Sequence, residues 1–358
     1  AANEGKDGGD PRLLRLARLV GDQLLAGVLP SPSGQLNVQS GHARGRGNLA
    51  EQGSLQLEYA RLAAIVSQSN ASAPSASPQS LASKAADAKR PFGSDDYWQA
   101  AKTFLPLLKL REATQPESFN GGKDSFYEYQ LKLYLLGGQT DPELRRVYCA
   151  MVRTLRGSLI HQCPESGGSF LTAGGEAWME HLACFVPGML ALGVLSGVSD
   201  APADDTNAAV SLATGCYAMY TSTPTGLAPD AWRFKRDKGD CTPTATGSKF
   251  SLRPETIESL FYLWRLTKNE TYREWGWNIF NALETHTKTT AGYAGLTNVY
   301  RAGSREDSEP SFMMAEVHKY LFLLFSPEQV MPLDQWVLNT EAHPFLVHRD
   351  RLSPWRRV

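Results

Sequence analysis

The stretch S-L-R-P-E-T-I-E-S-L-F-Y-L-W-R-L, residues 251–266, predicts a helix that is enclosed by other helices. Pro254 suits a first helical position, where its missing N–H is not needed, and Arg253 before it is biased away from helical dihedrals. Glu255 then falls in the first turn, where the helix dipole favours an anion, and Glu258 follows on the same face. The residues below them leave no continuous polar stripe, which is typical of a helix packed on all sides. A carboxylate at the end of such a helix either caps the helix or belongs to a site.

The composition allows a large core and excludes two classes of partner. The 358 residues fit one large domain or two ordinary ones, and 42% of them are apolar. The 36 basic residues are balanced by 37 acidic ones, and no basic run is interleaved with aromatics, which argues against nucleic-acid binding. No apolar run reaches the roughly 18 residues that a membrane span needs, and the first ten residues do not resemble a signal peptide. We expect a monomer that contacts a membrane only through an N-terminal anchor outside this chain.

The cysteines and the glycosylation sequons bear on the cellular compartment. No cysteine belongs to a C-x-x-C pair, which disfavours a zinc site. One or two disulfides with a thiol left over, or five free thiols, both fit the five positions. They are Cys149, Cys163, Cys184, Cys216 and Cys241. The N-x-S/T sequons at Asn70 and Asn269 favour a secretory route only slightly, because such triplets often arise by chance.

Alternating helices with recurring acids predict a toroid of helical hairpins. Nearly all-apolar helices alternate with amphipathic ones, as concentric inner and outer rings require. Acidic residues recur at or near the starts of the apolar helices, at steps of 56 to 75 residues, at Glu58, Asp124, Glu180, Glu255 and Glu316. That period matches one helical hairpin with its loops. Inner helices of a toroid point the same way, so these carboxylates are expected to converge at one mouth, where a cation, an arginine or shared protons must offset their repulsion.

The low-complexity and terminal stretches set the expected domain boundaries. Residues 1–10 are predicted to be a disordered start, and residues 347–358 a tail. Ala, Ser and Pro dominate about residues 69–92, which predicts a flexible insertion. Residues 11–346 are expected to form a single all-α domain, with short β elements in its loops and at its C-terminus.

Four stretches carry predictions about local structure. Residues 178–195 and 312–325 are each strongly apolar and are predicted to be helical throughout, with aromatic side chains such as Phe322 in the core. Residues 293–300 alternate enough for a short strand. Residues 222–247 contain Pro, Gly and Asp and are predicted to be an ordered loop or short strands.

Five stretches, in this order along the chain, resemble the class I α-1,2-mannosidases of glycoside hydrolase family 47. They are K-D-S-F-Y-E-Y-Q-L-K, H-L-A-C-F-V-P-G-M-L-A-L-G, R-P-E-T-I-E-S-L-F-Y-L-W-R-L, S-F-M-M-A-E-V-H-K-Y-L-F-L-L-F and V-L-N-T-E-A-H-P. The resemblance covers about residues 11–346. It implies an (α/α)7 barrel and Ca2+-dependent, inverting hydrolysis of terminal α-1,2-linked mannose from high-mannose N-glycans. It also implies the secretory pathway, in the ER or Golgi lumen, or secretion.

The resemblance assigns roles to individual residues. Asp124 matches a catalytic acidic position, and Glu255 matches the candidate general base that activates water. Thr340, in N-T-E-A-H-P, matches the residue whose hydroxyl and carbonyl bind Ca2+. Residues of the sugar pocket or of the water shell around calcium are matched by Glu58, His181, Arg253, Glu258, Phe312, Glu316 and Glu341. Cys184 and Cys216 match the disulfide pair of the family.

The sequence departs from the family pattern at two places. The family has an F-E-[ST]-T-I-R-like helix whose glutamate donates the proton, and this motif does not occur here. We therefore expect the N-terminal part of the barrel to be missing, so that the chain as given is incomplete. Residues 307–312 read D-S-E-P-S-F where the family often has D-x-M-E-S-F. The main expectation is a mannosidase. The alternatives are a non-catalytic, lectin-like relative that binds mannose glycans in glycoprotein quality control, and a purely structural toroid.

Overall fold

The computed structural model describes most of the chain in two compact units, one within residues 1–109 and one within residues 110–351. The described residues are 11–28, 48–69, 94–163, 168–234, 241 and 243–347. The predicted disordered start lies outside these ranges, as do the flexible insertion and the tail apart from residues 69 and 347. The single-domain organisation stays a prediction.

The first unit is helical where it is described. Its helices are α1 (Pro11–Val28), α2 (Leu49–Gly53), α3 (Gln56–Ser69), α4 (Ser94–Lys102) and α5 (Phe104–Leu107). A capping box starts α2, because Asn48 Oδ1 accepts the N–H of Glu51 and Glu51 Oε2 accepts the N–H of Asn48, both at 2.9 Å. Gly53 ends α2, and α3 begins three residues later at Gln56. Glu58 lies in the first turn of α3, and its position in the sugar pocket stays a prediction.

The second unit alternates enclosed and amphipathic helices. Its α-helices are α6 (Arg111–Thr114), α7 (Asp124–Leu136), α8 (Pro142–Thr154), α9 (Val186–Leu195), α10 (Pro202–Thr221), α11 (Glu255–Thr267), α12 (Thr271–His286) and α13 (Lys319–Phe325). Each of the apolar helices α7, α9, α11 and α13 contacts the next one in that order, and α8, α10 and α12 pack against them. The alternation in the sequence therefore corresponds to neighbouring inner helices joined through outer ones.

Short antiparallel sheets occupy the connections. The strands are β1 (Ile160–Cys163), β2 (Gly168–Leu171), β3 (Trp178–Glu180), β4 (Ala231–Phe234), β5 (Pro243–Ala245), β6 (Trp336–Leu338) and β7 (Pro344–Leu346). They form the sheets β1-β2, β3-β4-β5 and β6-β7. The strands expected within residues 222–247 and at the C-terminus are confirmed.

The local predictions for residues 178–195 and 293–300 were wrong. Residues 178–195 begin as a strand, because β3 pairs with β4, with Met179 opposite Trp232; a 3-10 turn, His181–Phe185, then leads into α9. Residues 293–300 form isolated bridges, such as Leu296 with Phe250, instead of a strand.

Residues 312–325 combine a π-helical segment with an α-helix, and they are not wholly buried. A π-helical segment, Met313–His318, precedes α13. Phe322 is 61% exposed, because α13 buries the face formed by Tyr320, Leu321, Leu323 and Leu324 and turns the opposite face away from it. The prediction that Phe322 lies in the core was therefore wrong.

Close packing against α9 holds the N-terminal part of α11. The backbone N–H of Gly188 donates to Ser259 Oγ at 2.8 Å, and this hydroxyl donates to the carbonyl of Cys184 at 2.5 Å. A side chain at position 188 would press against the backbone of Ser259, at 3.0 Å from its Cα. Glycine therefore lets α9 and α11 approach closely enough for these bonds.

Disulfides and helix lengths complete the description. Cys184 is joined to Cys216, the pair that the resemblance implies, and Cys163 is joined to Cys241, while Cys149 is a buried free thiol. Among the described helices, none is both long and apolar enough to cross a bilayer.

Candidate active site

Glu255 lies at the first position of α11, beside a fully buried histidine. Its Oε2 is 2.7 Å from His181 Nδ1, and its side chain is 12% exposed. Burial opposes ionisation of this carboxyl, but the hydrogen bond and charge of His181 and the guanidinium of Arg253 outweigh burial and lower the pKa of Glu255. Glu255 is therefore held as a carboxylate that can accept a proton.

His181 is itself fixed from its other side. Its Nε2 is 2.7 Å from the hydroxyl of Tyr220, on α10, and 3.3 Å from Thr256 Oγ1. The ring also packs edge-on against Trp232. When Tyr220 donates to Nε2, the hydrogen of the neutral imidazole is on Nδ1 and points at Glu255. The arrangement is a three-residue chain from tyrosine through histidine to the carboxylate.

Asp124 lies at the first position of α7 and has the opposite electrostatic character. Burial raises its pKa to about 7, the backbone N–H of Ser125 partly opposes this, and the charges of Glu255 and Glu128 add to the rise. Two carboxyl groups at the starts of inner helices thus have pKa values displaced in opposite directions. Such a split is how proteins assign acid and base roles to carboxyl groups.

A buried acidic cluster lies next to this pair. Burial raises the pKa of Glu316, which is 6% exposed, to about 10, and the charges of Glu255, Glu258, Glu341 and Glu128 add to it. These interactions place Glu316 near both Glu255 and Glu258, as the predicted convergence of acids requires. The raised pKa means that these acids cannot all be ionised together at neutral pH without a compensating positive charge.

Lys132 supplies part of the missing positive charge. It lies on α7, is 2% exposed, donates to Glu128 Oε1, and lies 3.5 Å from Glu258 Oε1. The hydroxyl of Tyr320 also donates to Glu258 Oε1, at 3.0 Å. Burial nevertheless raises the pKa of Glu258, against the effect of the lysine.

An arginine and an aromatic ring flank the start of α11. The guanidinium carbon of Arg253 lies 5.9 Å from the centre of the Phe312 ring. Arg253 Nε is 3.8 Å from Asp230 Oδ1, and this aspartate accepts hydrogen bonds from the N–H and hydroxyl of Ser251. The geometry combines a planar apolar surface with charged hydrogen-bond donors, which is what recognition of a sugar ring needs.

Thr340 lies in the turn between β6 and β7. Asn339 Oδ1 shapes the turn by accepting the N–H groups of Glu341 and His343, at 3.0 and 2.7 Å. Lys132 donates to the Asn339 carbonyl at 3.4 Å, which brings the turn to the acidic cluster. The hydroxyl and carbonyl oxygens of Thr340 make no hydrogen bond to the described part of the chain.

These oxygens fit a hard cation better than a transition metal. Calcium accepts hydroxyl, carbonyl, carboxylate and water oxygens. Within the described ranges, no three His, Cys, Asp or Glu side chains are grouped so that they could hold a metal directly. A Ca2+ ion would therefore be held by Thr340, with water linking it to the neighbouring carboxylates.

Glu180 differs from the other recurring acids. It ends β3 instead of starting a helix, and its Oε2 accepts the backbone N–H of Gly121 at 2.7 Å. It nevertheless directly precedes the 3-10 turn His181–Phe185 that leads into α9, so it lies near the start of an apolar helix.

Comparison with known proteins identifies the family. A family model described as glycosyl hydrolase family 47 matches residues 2–347. The chain belongs to glycosyl hydrolase family 47. The resemblance stated from the motifs and the all-α, α/α-barrel fold class are therefore confirmed.

Members of the family with known names resemble the chain over most of its length. A mannosyl-oligosaccharide 1,2-alpha-mannosidase of Arabidopsis thaliana is 34% identical over 363 residues, which cover 95% of this chain and 61% of that protein. The human mannosyl-oligosaccharide 1,2-alpha-mannosidase IC is 34% identical over 333 residues, or 90% and 51% of the two chains. The chain thus spans about half to three fifths of the length of these relatives.

A solved family 47 structure has the same fold. The alpha-1,2-mannosidase from Trichoderma reesei superposes with a TM-score of 0.76 at 25% sequence identity, covering 94% of this chain and 75% of that one.

Some contacts of the site were not found by sequence reasoning. Tyr220 lies 39 residues from His181 and carries no motif of its own, so nothing in the sequence links the two. Lys132 did offer a signal, because a Glu128–Lys132 pair four residues apart is unusual on an otherwise apolar helix.

Proposed function

We propose that the chain forms the catalytic domain of a mannosyl-oligosaccharide α-1,2-mannosidase that removes terminal α-1,2-linked mannose from high-mannose N-glycans with inversion. The observation that supports this best is the pair Asp124 and Glu255, with oppositely shifted pKa values at the starts of two inner helices. The names of the family members supply the substrate class.

Glu255 is proposed as the general base. Its lowered pKa keeps it ionised, and His181 orients it from the side. In the reaction, a water oxygen forms a bond to the anomeric carbon while its proton passes to Glu255, and the bond from that carbon to the glycosidic oxygen breaks. Inversion follows because water enters opposite the leaving group.

The leaving oxygen must receive a proton from a second carboxyl group. The pKa values of Asp124 and Glu316 are both raised, and the charge of Glu255 contributes to each shift. A proton donor works best when its pKa is close to the operating pH, and the value of about 7 for Asp124 meets this condition. Among the described residues we therefore propose Asp124 as the proton-bearing partner.

Calcium and the sugar pocket complete the proposal. The free oxygens of Thr340, together with the interacting carboxyl groups of Glu258, Glu316 and Glu341, support a Ca2+ site at the β6–β7 turn. When bound, Ca2+ would offset the carboxylate charge and bind sugar hydroxyls. We propose Phe312 as the stacking surface and Arg253 as a hydrogen-bond donor to the sugar.

The secretory pathway is the proposed location. One relative, from Rattus norvegicus, is named an endoplasmic reticulum mannosyl-oligosaccharide 1,2-alpha-mannosidase. The two disulfides also suit an oxidising compartment. Fractionation of cells that express the protein distinguishes the ER lumen, the Golgi lumen and secretion.

The test is release of free mannose from a purified high-mannose N-glycan by the chain, with and without a calcium chelator. We expect release that stops with the chelator and returns when Ca2+ is added. Release that is unaffected by the chelator would contradict the metal assignment. Glycan binding without turnover would contradict the enzyme proposal and favour the lectin-like alternative.

A further inference from the structure

The turn between α11 and α12 contains an exposed asparagine that the proposed function does not use. We propose that Asn269 is a site of N-linked glycosylation. The sequence there reads Asn269-Glu270-Thr271, an N-x-T sequon. The proposal needs entry into the secretory pathway but not catalytic activity.

The backbone presents Asn269 to solvent. α11 ends at Thr267, and Lys268 adopts a left-handed conformation, with φ of 57°, that turns the chain away from the helix. All residues from 267 to 270 are exposed. The folded protein therefore has room for a glycan at this turn.

The oxygen and the nitrogen of the Asn269 side-chain amide have different roles. Its Oδ1 accepts the backbone N–H of Thr271 at 3.1 Å, which forms an Asx turn just before α12. Its Nδ2 makes no hydrogen bond with any residue that the structure describes. N-glycosylation modifies the nitrogen alone, so the Asx turn can persist in the glycosylated protein.

The covalent step is a transfer from a lipid-linked oligosaccharide, catalysed by the transferase of the endoplasmic reticulum. A bond forms between Nδ2 and the anomeric carbon of the first sugar. The bond from that carbon to the lipid pyrophosphate breaks, and the pyrophosphate leaves with the electron pair. The amide nitrogen gives up one proton. Thr271 supplies the hydroxyl that the sequon requires.

The position of the glycan keeps it away from the candidate active site. Asn269 follows the C-terminal end of α11, whereas Glu255 begins this helix of 13 residues. At 1.5 Å per residue, the two ends are about 20 Å apart. A glycan on Asn269 would therefore leave the mouth at Glu255 open.

The test is peptide mapping of the full chain after expression in a eukaryotic secretory pathway behind a signal peptide. The intact protein is treated with peptide N-glycosidase, which converts a glycosylated asparagine to aspartate, and is then digested. We expect conversion at Asn269. An unmodified Asn269 in protein whose Cys184–Cys216 disulfide has formed would overturn the proposal. Asn70 is read separately in the same digest.

Two matched pairs separate the glycan from the turn. Thr271→Ser keeps the sequon and is expected to keep the modification, whereas Thr271→Ala is expected to lose it. Asn269→Asp retains the Oδ1 acceptor but cannot be glycosylated. Modification that survives in Thr271→Ala would overturn the assignment. Mannose release is not used here, so failure of this proposal and failure of the proposed function are distinguishable.

Discussion

The acids at the N-terminal end of α11 are largely buried, whereas Lys268, just beyond its C-terminal end, and Arg273, on α12, are partly exposed. At the N-terminal end, Glu258 is 6% exposed and Glu255 contacts a fully buried histidine. At the C-terminal end, Lys268 and Arg273 lie 4.9 and 3.8 Å from the centre of the Trp264 ring, and both side chains are partly exposed.

This difference separates functional charges from structural ones. The dipole stabilises a charge at an exposed helix end by about 0.3–1 kcal/mol, which is much less than the cost of burying an ionised carboxyl group. The partly exposed Lys268 and Arg273 therefore need no further explanation. The buried acids at the N-terminal end are retained at a cost in stability, which is typical of a site.

The largest expected effect is on mannose release, when one glutamate near each end of α11 is substituted in turn. Glu255→Gln removes the proposed base, and we expect kcat/KM for mannose release to fall by roughly 1,000-fold or more. Glu270→Gln, near the other end, changes an exposed residue and is expected to leave the rate unchanged. Equal activity of the two variants in initial-rate assays would refute the role of Glu255.

The next largest effect is expected on the free energy of unfolding, when Lys132 or Lys268 is substituted. Lys132→Met leaves two buried carboxyl groups without their partner, and we expect the free energy of unfolding to fall by about 3–5 kcal/mol. Lys268→Met breaks an exposed ion pair with Glu328 and is expected to cost less than about 1 kcal/mol. Urea unfolding followed by tryptophan fluorescence measures both. Similar losses would mean that the two ends do not differ as described.

Asp124 gives a pH-dependent prediction for the metal-free protein. Its pKa is raised from 3.8 to about 7 on folding, so the folded state holds a proton that the unfolded state has lost between these values. The stabilisation from this group is therefore fully present below pH 3.8 and is lost as pH rises through 7. Asp124→Asn has no carboxyl group to titrate at this position, so its stability does not fall with rising pH for this reason.

We expect Asp124→Asn to gain on the order of 1–4 kcal/mol relative to the unsubstituted chain between about pH 4 and pH 8. Denaturant unfolding at several pH values, with a chelator present, measures the difference. A constant offset between the two proteins would show that Asp124 titrates normally.

The smallest expected effect concerns the tyrosine behind His181. Tyr220→Phe removes the hydroxyl at Nε2 and frees the imidazole, so we expect kcat to fall roughly 10-fold with little change in KM. Tyr217→Phe is the control, because the Tyr217 hydroxyl bonds to Asn278 on α12, away from the histidine. A rise in KM alone would indicate that Tyr220 acts on substrate binding instead.

Much of the fold was predictable because it depends on local pattern. The apolar runs of α7 and α11 identified inner helices, and the motifs identified the family. The prediction was wrong where a distant partner decides the conformation, as for residues 178–195, whose first strand pairs with residues about 50 positions later. Phe322 was misplaced because an apolar sequence does not tell which face of a helix is covered.

The site was predictable at its motifs and not at its contacts. Asp124 and Glu255 were singled out because their motifs are local, and their catalytic roles stay predictions. The bond between His181 and Glu255 joins residues 74 positions apart, and no periodicity reports on such a distance. The split in pKa values depends on burial and neighbouring charge, which only the three-dimensional arrangement determines.

The most direct test of the central claim is the anomeric configuration of mannose released from an α-1,2-linked mannoside, followed by proton NMR during the first turnovers. If Glu255 directs water to the face opposite the leaving group, β-mannose appears first and the α-anomer grows later by mutarotation. Initial release of α-mannose would contradict the inverting mechanism and the role of Glu255 as the base.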